Sequence, residues 1–238
     1  VDALARSQHL DEAQSIIENY EKTNERLVVM WMPLLSACRT YKQDKKAKEI
    51  YDKINDMKNI SNRYLASVNV LMGNTYASVG KYYKAESVRW KMAHENIRKI
   101  PGMTWIEIDG VSHSFYAHDT SHPKSNEIYN ELGKLQQDLI DYGHRFDFSL
   151  ISRRVKIEYG ETPLSVIMGH SEKLAIAYGL ISTKENEPLL LAKNLRICPD
   201  CHTATKLISK IRQREINIRD ANRFHKFKNG QCSCNDFF

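Results

Sequence analysis

Apolar positions along this chain follow two periodicities, and the change falls near residue 100. Before it, small and apolar residues recur at helical spacing: Leu10-x-x-Ala13-x-x-Ile16, Ala47-x-x-Ile50 and Tyr82-x-x-Ala85-x-x-Val88. The three alanines are offset by 34 and then 38 residues. Such a period predicts helical hairpins over 1–97, in which a small residue lets two helices approach closely; a plain helical bundle is the alternative. Pro101-Gly102 ends that pattern. Thr104–Ile108 and Val111–Tyr116 then read as two strands about an Asp109-Gly110 turn, a hairpin spanning 101–118. Ile128, Leu132, Leu135 and Leu139 predict a helix between Pro123 and Tyr142.

Residues 143–168 fit no regular element, and their place just before the chemistry described below makes them a candidate mobile cover. A helix is predicted from Ser171 to Ile181. A buried strand follows, drawn from Leu189–Ala192 and Leu195–Ile197, and then a helix from about Pro199 to Ile211. Ile216–Arg219 and Phe224–Phe227 read as short strands, the second followed by Asn229-Gly230. Residues 98–238 thus predict an α/β layered domain after an α-helical one.

Charge changes this picture at one end. The chain carries a net charge of +6, and residues 193–238 alone hold ten Lys/Arg against four Asp/Glu, so the preceding residues sum to zero. A basic block on a neutral body points to an anionic partner, most simply nucleic acid; a soluble basic surface without a partner is the alternative. No apolar run approaches the roughly 18 residues of a membrane span, so no membrane partner is expected. The start Val1-Asp2-Ala3 has neither methionine nor a cleavable apolar stretch, which reads as an internal fragment without its targeting segment.

The chemistry lies among the five cysteines. Cys38 stands alone in a helical stretch and reads as core. The other four form Cys198-x-x-Cys201 and Cys232-x-Cys234, close to histidines, a pattern that suits metal better than disulfides. His170-Ser171-Glu172 opens one predicted helix, and Cys198-Pro199-Asp200-Cys201 opens another just after a strand. That is the layout zinc deaminases require: a histidine and two cysteines hold zinc, the metal activates a water, and a nearby glutamate that is not a ligand moves the proton. Glu172 is therefore the expected catalytic acid/base, with His170, Cys198 and Cys201 as ligands. A purely structural zinc at the Cys-x-x-Cys is the alternative. His202 points about 100° away from Cys201 on a helix. With His225, Cys232 and Cys234 it makes a closed two-His, two-Cys set suited to a second, structural zinc; an ordinary surface His225 or unliganded thiols are the alternatives. His9, His94, His113, His118, His122 and His144 read as surface or core residues.

These residues resemble a known family. The stretches Pro101–Glu107, His170–Ala175, Lys193–Arg196, Cys198–His202 and Cys232–Cys234 closely resemble the DYW domain of plant pentatricopeptide repeat proteins. The upstream part, including Trp31–Cys38, is similar to that family's E1 and E2 motifs, and residues near 1–20 look like the end of a last repeat. The resemblance implies helical-hairpin repeats followed by an α/β cytidine-deaminase-like domain with a central mixed sheet and flanking helices. It implies C-to-U editing of transcripts in a chloroplast or mitochondrion, two Zn2+ ions per chain, and single-stranded organellar RNA and other editing-factor proteins as partners. The alternative is an inactive or gated RNA-binding or protein-interaction module with structural zinc. The family is named for a final Asp-Tyr-Trp, where this chain ends Asp236-Phe237-Phe238 and so lacks a phenol hydroxyl and an indole N–H.

Overall fold

A computed structural model describes residues 1–151 and 153–236. The chain forms two compact units, one of residues 1–100 with 149–154, the other of residues 101–148 with 155–238.

The first unit holds six helices: α1 (Asp2–Arg6), α2 (Leu10–Glu21), α3 (Val28–Thr40), α4 (Asp44–Asn55), α5 (Asn62–Ser78) and α6 (Tyr82–His94). Ala13, Ala47 and Ala85 lie on α2, α4 and α6, and all three are buried. Trp31, Leu34, Leu35 and Cys38 of α3 fill the same core, where burial pushes the Cys38 thiol up to about 11. Tyr51 donates from its hydroxyl to Asn69 Oδ1 at 2.6 Å, and Asn69 Nδ2 donates to Leu65 O at 2.8 Å, so these two buried side chains are satisfied.

The second unit is built on one mixed sheet of six strands, in the order β2-β1-β3-β4-β5-β6. Its strands are β1 (Met103–Ile108), β2 (Val111–Tyr116), β3 (Leu189–Lys193), β4 (Ile216–Arg219), β5 (Phe224–Lys228) and β6 (Gln231–Cys232). Only β3 and β4 run parallel. Asp109 and Gly110 both take positive φ, 51° and 75°, as the two-residue turn between β1 and β2 demands. Among the described residues four α-helices complete the unit: α7 (Ser125–Asp141), α8 (Pro163–Met168), α9 (Ser171–Ser182) and α10 (Pro199–Ile211).

Two expectations are corrected here. Leu195–Ile197 does not extend β3, because Asn194 turns the chain. Its Oδ1 accepts from Met103 N at 2.8 Å and its Nδ2 donates to Pro101 O at 2.9 Å, so the side chain replaces ladder bonds. Nor is 143–168 without regular structure: α8 starts at a capping box, where Ser165 N donates to Thr162 Oγ1 and Thr162 N donates to Ser165 Oγ, with Pro163 in the first turn.

α9 is the centre of this unit. Every residue from Ser171 to Gly179 is buried, so the helix has no solvent stripe and is enclosed by sheet and helices. Its far half is tied to β2 through two histidines. Lys124 N donates to His122 Nδ1 at 3.0 Å, which leaves the proton of neutral His122 on Nε2. That N–H meets His113 Nδ1 at 3.0 Å, and His113 Nε2–H then points to the Tyr178 hydroxyl at 3.1 Å. Residues that read as scattered thus form one hydrogen-bonded chain onto α9.

Packing around α9 leaves no spare room. A Cβ at Gly179 would lie 2.9 Å from both Ile106 Cδ1 and Leu189 Cδ2, whereas one at the exposed Gly133 of α7 would touch nothing. Gly179→Val should therefore lower unfolding free energy by about 1–3 kcal/mol or more, from overpacking. Gly133→Ala should raise it by up to about 1 kcal/mol, from helix propensity alone. Urea unfolding of the two variants checks both signs.

Candidate metal and catalytic centre

Two helix N-termini meet at the first cluster. His170 is the N-cap residue of α9 and Cys198 that of α10. Pro199 at the first helical position fixes the entry of α10, and Cys201 N–H donates to Cys198 Sγ at 3.3 Å. The sulfurs of Cys198 and Cys201 lie 3.6 and 3.4 Å from His170 Nδ1. Donors on a tetrahedral zinc, with Zn–S about 2.3 Å and Zn–N about 2.0 Å, stand about 3.5–3.8 Å apart. Both nitrogen–sulfur distances are near that spacing, and among the described residues this group offers three ligands.

The second cluster brings together His202, His225, Cys232 and Cys234, four ligands from α10, β5, β6 and the turn after it. His202 Nε2 lies 3.1 Å from Cys234 Sγ, Cys232 Sγ lies 3.6 Å from His225 Nδ1, and the two sulfurs are 3.3 Å apart. His225 Nε2 faces Asp220 Oδ2 at 3.3 Å, so the carboxylate takes the ring's proton-bearing side and turns the Nδ1 lone pair to the cluster. Asp220 is itself fixed by the N–H groups of Ile197, Asn222 and Arg223. Burial, then the neighbouring His225, pushes His202 down to about 4. Adjacent residues Cys201 and His202 thus face different clusters from a single helical turn.

Both clusters crowd thiols against one another. Cys198 is pushed well up by its hydrogen bond with Cys201 and by burial, and burial pushes Cys232 up to about 11. A divalent cation at each centre reverses that penalty, which is why such donor sets suit a metal.

Glu172 stands one residue beyond Ser171 on the first turn of α9 and is 2 % exposed. Its Oε2 lies 3.1 Å from Lys193 Nζ and accepts from Ser171 Oγ at 3.2 Å. Lys193 Nζ also donates to Ser171 Oγ at 3.3 Å, and Thr104 Oγ1 is 2.9 Å from the same oxygen. Burial pushes the Glu172 carboxyl up, but the Lys193 ammonium and His170 outweigh it and hold the group below its ordinary value. The sequence assigns no site role to Lys193, Thr104 or Ser171, because a lysine in a strand carries no pattern that marks it as buried.

A second buried ion pair lies behind Cys201. Lys173 and Asp200 are both inaccessible, 2.7 Å apart, and Asp200 Oδ1 also meets His144 Nε2 at 3.2 Å and Asp147 N at 3.1 Å. His144 is thus part of the wall behind the site, and the first residues of the 143–168 segment are tied to α10. At the other end of that segment Gly169 O accepts from His118 N at 2.7 Å, directly before His170.

The basic C-terminal block is largely engaged within the fold. Arg212 pairs with Glu131 and Asp138, Lys226 and Lys228 with Glu215, Lys206 with Asp236, and Lys193 with Glu172. Asp236 Oδ1 lies 3.7 Å from His202 Nδ1. Phe237 and Phe238 lie outside the described residues. Among the described residues no helix is long and apolar enough to cross a membrane.

Comparison with known proteins places this geometry in a family. Residues 143–238 match the DYW family of nucleic acid deaminases, residues 47–107 the E motif and residues 113–139 the E+ motif. Over all of the chain it is 42% identical to pentatricopeptide repeat-containing protein ELI1, chloroplastic, and 41% identical to pentatricopeptide repeat-containing protein At2g27610, both of Arabidopsis thaliana. It spans 36% and 26% of their lengths. With the E, E+ and DYW segments following one another along its length, the chain belongs to the plant pentatricopeptide repeat proteins that carry a DYW deaminase domain.

Proposed function

We propose that this chain deaminates cytidine to uridine in single-stranded organellar RNA. The observation that carries this reading is one juxtaposition. A buried glutamate, Glu172, shares the first turn of α9 with a three-donor cluster, while the other cluster offers four donors. Three protein ligands leave a coordination position for chemistry, whereas four close a structural site. Zinc held by His170, Cys198 and Cys201 supplies the Lewis acidity that activates a water at neutral pH. Glu172 takes a proton from the attacking water and returns it to the base as the bond to C4 forms and the C4–N bond breaks, releasing ammonia. Lys193 and Ser171 fix the Glu172 carboxylate in place for that transfer. His202, His225, Cys232 and Cys234 would hold a second zinc, which would tie β5, β6 and the turn after it to α10.

The first unit is read as the end of a repeat array with E-type motifs over 1–97, and 98–238 as the deaminase domain. The name of one relative, chloroplastic, supports an organelle as the site of action, and the family supports RNA and other editing factors as partners.

Three outcomes are expected. When the chain is fused to an RNA-tethering array, Glu172→Ala should abolish C-to-U change in the tethered transcript and leave metal content unchanged; editing by that variant would overturn the assignment. Cys232→Ala should lower the melting temperature and remove about one zinc per chain by elemental analysis, and retention of both metals would refute the second site. Lys193→Met should cost about 3–5 kcal/mol by leaving Glu172 buried without its cation, and adding Glu172→Gln should recover most of that loss in urea unfolding.

A further inference from the structure

The proposed reaction leaves one buried charge without a task. Lys173 is 0% exposed and sits on α9 directly after Glu172. An ammonium has three N–H donors, and here each finds an acceptor: Asp200 Oδ2 at 2.7 Å, Ile167 O at 3.1 Å and Cys201 Sγ at 3.4 Å. The carboxylate keeps the lysine charged in a site closed to solvent. Asp200 in turn is held by His144 Nε2 and by the backbone N–H of Asp147. A salt bridge this deeply enclosed contributes little to stability compared with apolar residues of similar volume. Its geometry instead delivers a positive charge to one sulfur of the three-donor cluster.

We infer that Lys173 is a positioning residue that tunes the metal through Cys201. A charged N–H donor on a thiolate draws electron density from the sulfur, so less is donated to a cation bound on its other side. Two thiolates neutralise most of a divalent charge. A hydrogen bond from Lys173 restores part of it and makes the bound metal the stronger Lewis acid. Cys198 accepts only the backbone N–H of Cys201 among the bonds to its sulfur from the main chain, so the two thiolates are unequal and Cys201 is the weaker donor. Asp200 and His144 act one step further out, by fixing the ammonium. This assignment rests on the proposed zinc-deaminase reading for its purpose, but its first observable is electronic.

The test uses the full chain with cobalt(II) in place of zinc. The charge-balanced variant Lys173→Met/Asp200→Asn removes the donor without leaving an unpaired buried carboxylate, so that the fold survives, as circular dichroism and retention of two metals per chain would show. Its sulfur-to-cobalt charge-transfer band should move to longer wavelength, because the Cys201 thiolate becomes more electron-rich. The four-donor cluster in the same molecule should contribute an unchanged component. Editing in the tethered assay should fall by about 10–100-fold, the usual effect of losing an outer-shell partner. An unshifted band in the folded, fully loaded variant would overturn the inference whatever the editing rate. A shifted band together with an unmodified chain that does not edit would sustain the inference and sink the deaminase reading instead.

Discussion

Two lysines shut away from water organise the deaminase-like unit of this protein. Lys193 meets Glu172, and Lys173 meets Asp200, each pair enclosed in the fold. Charges in such surroundings are tolerated only when paired and fully hydrogen-bonded, so each pair restricts where its elements can stand. The first fixes β3 to the start of α9, and the second fixes α9 to the start of α10. The His170, Cys198 and Cys201 donors lie at those same helix starts, so the ion pairs and the cluster impose a single geometry on one another.

The second cluster uses the opposite strategy. Its four donors come from α10, β5, β6 and the turn after β6. Asp220 orients His225, and three backbone N–H groups hold Asp220. This centre shares α10 with the first cluster, through neighbouring residues.

The same constraint explains what became of the basic block. Its lysines and arginines come close in space to acids of α7, to Glu215 just before β4 and to Asp236 only after folding. Arg212 reaches back to Glu131 and Asp138, and Lys226 and Lys228 to Glu215. A net charge counted along the chain measures total charge, while the field presented to a nucleic acid depends on which charges are paired.

The motifs were legible because they are local. His170-Ser171-Glu172 and Cys198-x-x-Cys201 each fit within a helical turn, and helix and strand periods located both helix starts and most strands. The 34- and 38-residue offsets likewise picked out alanines that are buried. What stayed hidden was non-local. Nothing near Lys173, Lys193 or His144 in sequence marks them as buried, since each is satisfied by a partner 27, 21 or 56 residues away. Asn194 ended a strand that its apolar neighbours seemed to prolong, because its side chain bonds to residues more than 90 positions earlier. The sequence by itself determined which residues offer His, Cys and Glu side chains at the spacing of a metal site. Only the tertiary structure decided which charges stand behind them, because pairing in a low-dielectric interior depends on distance in space.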